Sequence, residues 1–177
     1  MKKPTGANPG TDPDANPGND GHRGADSSHW FDYPIRVQPH HTDYAGIVWH
    51  GTYITWLESA RVDALAAVGV KFADLVAMGV DLPVVDLSIK YHRSLRLGDE
   101  AVVRSRPLPR RGVRLIWDYR IESPLPEASQ SGNQEDLSPL CYVTGQVTLV
   151  ALDAQRGTVL RRYPPLFQSA LDQFAQG

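Results

Sequence analysis

The chain has 177 residues, 18 of them Lys or Arg and 20 Asp or Glu, for a formal net charge of -2. That length suits one domain with a real core, and the near-neutral charge gives no electrostatic case for binding nucleic acid. No apolar run approaches the roughly 18 residues that a membrane-spanning helix needs, and the single cysteine, Cys141, excludes an internal disulfide and any cysteine-based zinc cluster.

Residues 1–29 contain no Leu, Ile, Val or aromatic residue. Such a stretch buries too little apolar surface to offset the entropy of ordering, so it reads as a disordered tail. Its two early Lys precede no apolar h-region, so a secretory signal is not expected. The folded part begins near Trp30, and "WFDYPIRVQP" reads as a first strand stopped by Pro39. A loop follows, "HHTDYAGIVWHGTY" (residues 40–53), with three His, one Asp, two Tyr, a Trp and two Gly in fourteen positions. From Gly51 to Val68 the period is helical: Tyr53, Leu57, Ala60, Ala64 and Val68 fall on one stripe. Ile54, Trp56, Val62 and Leu65 widen that stripe, which predicts a helix wrapped nearly all round. Gly69 is its expected stop, and "FADLVAMG" is a short second helix ending at Gly79.

The period then changes to two. In "VVDLSIKYHR", Val85, Leu87, Ile89 and Tyr91 alternate with polar residues, which predicts a half-buried strand. "EAVVRSRPLP" reads as a third strand. "GVRLIWDYRIE" alternates again through Val113, Leu115, Trp117, Tyr119 and Ile121. "LCYVTGQVTLVALD" is a long fifth strand, in which Cys141 reads as a buried structural thiol, and a reducing cytoplasm is the expected compartment. Residues 124–139, polar and Pro-containing, read as a flexible hairpin insert. "GTVLRRYPP" adds a short edge strand, and "PLFQSALDQFA" closes the chain with a helix. Together these predict an α+β fold, residues 30–177, with an antiparallel sheet of about five strands curled over one long helix.

Thr42-Asp43-Tyr44-Ala45-Gly46-Ile47-Val48, followed by His50, Tyr53, Leu57, Glu58 and Arg61, resembles the hotdog-fold acyl-CoA thioesterases of the 4-hydroxybenzoyl-CoA thioesterase family. The resemblance spans about residues 33–163, with "YHRSLRLGD" and "CYVTGQVTLVALD" in support. The wording of the loop is also similar to a subgroup common in cyanobacteria and plastid-bearing lineages, which includes hydrolases of 1,4-dihydroxy-2-naphthoyl-CoA in phylloquinone biosynthesis. The resemblance implies a curved sheet wrapped around a central helix. It further implies an acyl-CoA substrate and a homotetramer built as a dimer of dimers, with active sites at the dimer interface. No cofactor is implied, since CoA is part of the substrate.

The chemistry of thioester hydrolysis accounts for the residue types in the loop. An aspartate carboxylate is ionised at neutral pH, so Asp43 can attack the carbonyl directly or activate a water. The helix is expected to start at His50 to Thr52, where backbone N–H groups lack intrahelical partners and the helix dipole favours negative charge. The His50 and Gly51 amides are therefore the candidate oxyanion donors, with the His50 side chain a second way for that residue to act. Gly46 frees the loop to adopt conformations that a side chain forbids. Asp43 as a plain turn residue is the competing reading.

Tyr53 and Trp56 read first as core residues. Tyr53 nonetheless joins Tyr44 and Trp49 as a candidate wall for an aromatic acyl group. Arg93 is the foremost of several arginines (Arg96, Arg104, Arg106, Arg110 and Arg111 among them) that are candidates for the CoA phosphates, against a solvated basic face. His40, His41, His50 and Asp43 offer no tight helical His pair, so no metal is expected. Two other functions compete. One is a hotdog-type hydratase or dehydratase using Glu58, although the His-Phe-Pro-Gly-type segment usual there is absent. The other is an acyl-CoA sensor without turnover.

Overall fold

Apolar residues that recur every second position build a sheet, and those that recur every third or fourth build the helix it curls around. The computed structural model describes residues 30–125 and 138–176. In chain order these form β1 (Phe31–Arg36), a 3₁₀ turn (Pro39–His41), α1 (His50–Ala67), α2 (Phe72–Ala77), β2 (Val80–Asp81) and β3 (Val84–Tyr91). There follow β4 (Glu100–Pro107), β5 (Arg114–Glu122), β6 (Cys141–Val150), β7 (Leu152–Asp153), β8 (Thr158–Val159) and α3 (Pro165–Gln176). The expected tail, 1–29, and most of the expected insert lie outside the described residues. At the base of that insert Ser123 N–H donates to Leu140 O at 2.9 Å.

The main sheet is antiparallel with strand order β1-β4-β5-β6-β3. A second small sheet, β2-β7-β8, takes in the short strand expected near residue 158 and a two-residue strand, Val80–Asp81, that the sequence did not signal. The alternation in β5 behaves as read: Leu115, Trp117, Tyr119 and Ile121 are all buried on the face toward α1, while Arg120 is exposed on the other. Leu57 of α1 reaches close to β6 at Gly145, where an added Cβ would sit 3.1 Å from Ser88 O and 3.5 Å from Leu57 Cδ1. α3 covers another part of the core, with Phe174 edge-on to Trp117 at 5.6 Å between ring centroids.

Three expectations change. The alternation in β3 predicted one buried face, yet Val85 is 53% exposed and Tyr91 46%, Leu87 is exposed as well, and only Ile89 of the expected inward set is half-buried. β3 is an edge strand, and α1 packs chiefly on β4 and β1 rather than over it. The same offset leaves α1 open along one flank. Tyr53, Trp56, Leu57, Ala60, Arg61, Ala64 and Leu65 are buried, while Ile54 and Glu58 remain exposed, so the helix is not wrapped all round. Cys141 is half-buried rather than buried, and removal from water raises its thiol pKa. Among the described residues no helix is long and apolar enough to cross a membrane.

Candidate active site

The loop before α1 is a tight turn closed by its own carboxylate. Thr42 bridges Val48, Asp43 N–H donates to Ile47 O at 2.8 Å, and Gly46 N–H donates to Asp43 O at 3.0 Å. Asp43 Oδ1 accepts from the amides of Ala45 (2.9 Å) and Ile47 (3.1 Å). Gly46 takes φ +73°, the left-handed region that costs a residue with a side chain most. Asp43 therefore does serve the turn, but with one oxygen only. Its Oδ2 makes no hydrogen bond among the described residues.

The outgoing arm of this turn runs straight into α1. Val48 N–H donates to Leu95 O, and Trp49 N–H donates to His41 O, each at 3.0 Å. Thr52 completes the junction: its hydroxyl donates to His41 O at 3.2 Å, and its N–H donates to Trp49 O at 2.9 Å. Of the amides at the helix start, those of His50 and Gly51 are left without a partner among the described residues. Trp49, at the N-cap, supplies no side-chain cap. Instead its indole folds over Gly51, where any Cβ would collide with the ring.

Two grooves flank this helix start. The larger, about 570 Å³, lies between β1 and α1 and is walled by Tyr33, Ile35, His41, Trp49, Thr52 and Trp56 among others. The smaller, about 240 Å³, is formed by Val48, His50, Tyr53 and the run Tyr91 to Ser94. Neither is lined by Asp43 or Tyr44. Burial, helped by the neighbouring His40, lowers the pKa of His41, which packs edge-on against Trp56 at 5.0 Å.

Residues 45–125 match the sequence model described as the thioesterase superfamily. A putative esterase of Synechocystis sp. (sll0410) is 48% identical over 147 residues, 83% of this chain and 81% of that protein. The chain belongs to the thioesterase superfamily. As a thioesterase of the hotdog fold it is a thioester hydrolase, and two further likenesses agree. The putative acyl-CoA thioesterase YneP of Bacillus subtilis is 35% identical over 95 residues, 54% of this chain and 69% of that protein. The solved structure of a 1,4-dihydroxy-2-naphthoyl-CoA thioesterase from Synechocystis superposes with a TM-score of 0.69 at 19% identity, covering 84% of this chain and 100% of that one. At that identity it shows the fold. The superfamily match begins two residues past Asp43, so the case for Asp43 rests on the geometry of its turn.

Within this thioesterase the predicted aromatic wall does not assemble in one protomer. Tyr44 is fully exposed and lines neither groove. Trp49 lines the larger groove. Tyr53 presents its ring to the smaller one, but it is buried, and its hydroxyl accepts from Leu95 N–H at 3.1 Å. Burial raises its pKa, as a core anchor requires. Arg93 lines the smaller groove, exposed and in no ion pair among the described residues. Arg104 pairs with Asp32 and Glu122, Arg106 pairs with Asp118, and Arg110 lies over the Tyr163 ring. Those three serve the fold and are not the free cations the CoA reading needed.

Glu58, the competing carboxylate, sits 3.9 Å from Arg61 Nη2, and Arg61 Nη1 donates to Tyr119 OH at 3.1 Å. Sequence reasoning missed Tyr91, whose hydroxyl donates to His50 O at 3.1 Å. It also missed the His41 carbonyl, which holds the helix start. Nothing local in the sequence marks either one.

Proposed function

We propose that this thioesterase hydrolyses acyl-CoA, with an aromatic acyl group such as 1,4-dihydroxy-2-naphthoyl as the leading substrate. The observation that carries the reading is the pair of unpartnered amides, His50 and Gly51, at the start of a helix fed directly by the Asp43 turn. The thioester oxygen accepts from those two amides, which stabilise the negative charge that develops on it. Asp43, through Oδ2, attacks the carbonyl carbon, or takes a proton from a water that attacks it, and either route gives a tetrahedral adduct. The C–S bond then breaks and CoA leaves as its thiolate without a strong acid, because a thiol is acidic enough to depart as its anion. The water route yields the free acid at once, and the direct route leaves a mixed anhydride on Asp43 that a water hydrolyses to the acid and the free carboxylate.

The larger groove, with Tyr33, Trp49 and Trp56, suits a flat acyl group. The smaller one, with Arg93, suits the CoA arm and its phosphates. The names of YneP and of the Synechocystis structure supply the acyl-CoA and naphthoyl parts of this reading. The lone cysteine fits a reducing, cytoplasmic setting.

The exposed edge strand β3 supports an assembly of copies. Among the described residues its outer edge is unpaired, and it carries exposed Val84, Val85, Leu87 and Tyr91, so a second copy can extend the sheet there by edge-to-edge pairing. Two such dimers pair into the homotetramer of this reading.

One experiment tests both parts: thiol release from aroyl-, short-chain and palmitoyl-CoA by protein sized in parallel by light scattering. The expected result is a tetramer, or at least a dimer, with the highest kcat/KM on aroyl thioesters. An active monomer, or a preference for palmitoyl-CoA, contradicts the assembly or the acyl assignment respectively.

A further inference from the structure

We propose that Tyr91 is a positioning residue for the oxyanion site: its hydroxyl, bonded to the His50 carbonyl, fixes the peptide plane whose other end is the Gly51 N–H. This rests on the proposed role of that amide.

The argument begins with the peptide bond. The six atoms from His50 Cα to Gly51 Cα are coplanar, and in a trans peptide the C=O and the N–H point in opposite directions. A restraint on His50 O is therefore a restraint on the direction of Gly51 N–H. Among the described residues that amide has no hydrogen bond of its own to orient it, and the N–H groups in the first turn of a helix point out of its end. Glycine is also the residue that restrains its own backbone least.

Two contacts offset this freedom. On one side the Trp49 indole lies against Gly51, a fit available only because Gly51 lacks a Cβ. On the other, Tyr91 donates to His50 O at 3.1 Å across 41 residues of sequence.

Tyr91 is well placed to act as a fixed point. It ends β3, in register with Val143 of β6. The next two amides, His92 and Arg93, both donate to Tyr142 O, at 2.8 and 3.1 Å, and His92 Nε2 meets Thr144 Oγ1 at 2.9 Å. Its ring is braced edge-on by Tyr53, 5.4 Å away, and Tyr53 is itself held by Leu95 N–H. The sheet thus holds the phenol, and the phenol holds the first peptide of the helix.

The bond also acts electronically. A donor on the carbonyl polarises the amide, so the N–H at the other end becomes a stronger donor. The gain matters most when the substrate oxygen carries developing negative charge, that is, in the transition state. Tyr91 touches no reacting atom in this account, since it works through Gly51.

The test is Tyr91→Phe in the full-length protein, which removes one oxygen and keeps the ring. Two readouts are taken: the Gly51 amide proton shift by NMR, and kcat and KM on the best acyl-CoA. Deleting an oxyanion donor outright costs on the order of 10²–10³-fold, so loosening one should cost about tenfold in kcat, with KM nearly unchanged. The Gly51 amide proton should move upfield as its polarisation is lost. An unmoved Gly51 resonance overturns the proposal, and so does an unchanged kcat or a loss confined to KM. A wild-type protein with no turnover on any acyl-CoA defeats the proposed function instead, and the Gly51 shift then judges the link by itself.

Discussion

The start of α1 and its middle treat polar groups in opposite ways. In the middle, the buried Arg61 is matched by the Tyr119 hydroxyl and flanked by Glu58. At the start, two amides and one carboxylate oxygen are left without partners among the described residues. A fold stabilises itself by pairing its polar groups, because each unpaired one costs desolvation free energy. Asp43 and His50 are exposed and Gly51 is half-buried, so water satisfies these open groups until a substrate displaces it. On the proposed mechanism, Glu58 belongs to the fold and Asp43 to the chemistry.

The largest effect expected from that contrast is at Asp43. Asp43→Asn should preserve the turn, since the amide oxygen can still accept from Ala45 and Ile47, while removing the nucleophile or base. We expect kcat to fall by about 10²–10⁴-fold with KM little changed. Retained activity would return Asp43 to the role of a turn residue.

The middle of the helix should instead respond through stability. Burial, opposed by Arg61, pushes the Tyr119 pKa up to about 12, against about 10 in an unfolded chain. Between those values the unfolded state has released a proton that the folded state retains. The stabilisation is therefore complete below pH ~10 and is lost as pH rises toward about 12, by roughly 2–3 kcal/mol. Denaturant titrations across that window should show a larger loss in the wild type than in Tyr119→Phe, which keeps only the contribution of the other buried phenols, Tyr53 and Tyr163. An equal loss in both would mean the phenol is not the titrating group.

The smallest effect is expected at Glu58, exposed and 3.9 Å from its partner. Glu58→Gln should stay within about tenfold of wild-type kcat, or roughly 1.4 kcal/mol of barrier. A dead Glu58→Gln beside an active Asp43→Asn would invert the comparison.

What the sequence disclosed follows the range of the interactions. Asp43, Gly46, His50 and Gly51 lie within nine residues, so local spacing signalled a turn leading into a helix start, while the role given to Asp43 came from the resemblance that the whole block carries. Alternation correctly assigned the buried face of β5, where α1 and the neighbouring strands supply the cover. The same pattern misled in β3, because alternation marks an apolar face without saying whether this chain or another copy covers it. Arg104 and Arg106 looked like phosphate ligands until the strand register set them beside Asp32, Glu122 and Asp118. Tyr91 and the His41 carbonyl reach the helix start only through tertiary folding, and no local pattern distinguishes them.

The most direct test of the central claim is a crystal structure of the full-length protein with a non-hydrolysable aroyl-CoA analogue that keeps the carbonyl and replaces the thioester sulfur by methylene. The account predicts the carbonyl oxygen about 2.7–3.1 Å from the amide nitrogens of both His50 and Gly51, with Asp43 Oδ2 about 3–3.5 Å from the carbonyl carbon or one water away. A carbonyl seated beside Glu58, with the two amides unused, would contradict it.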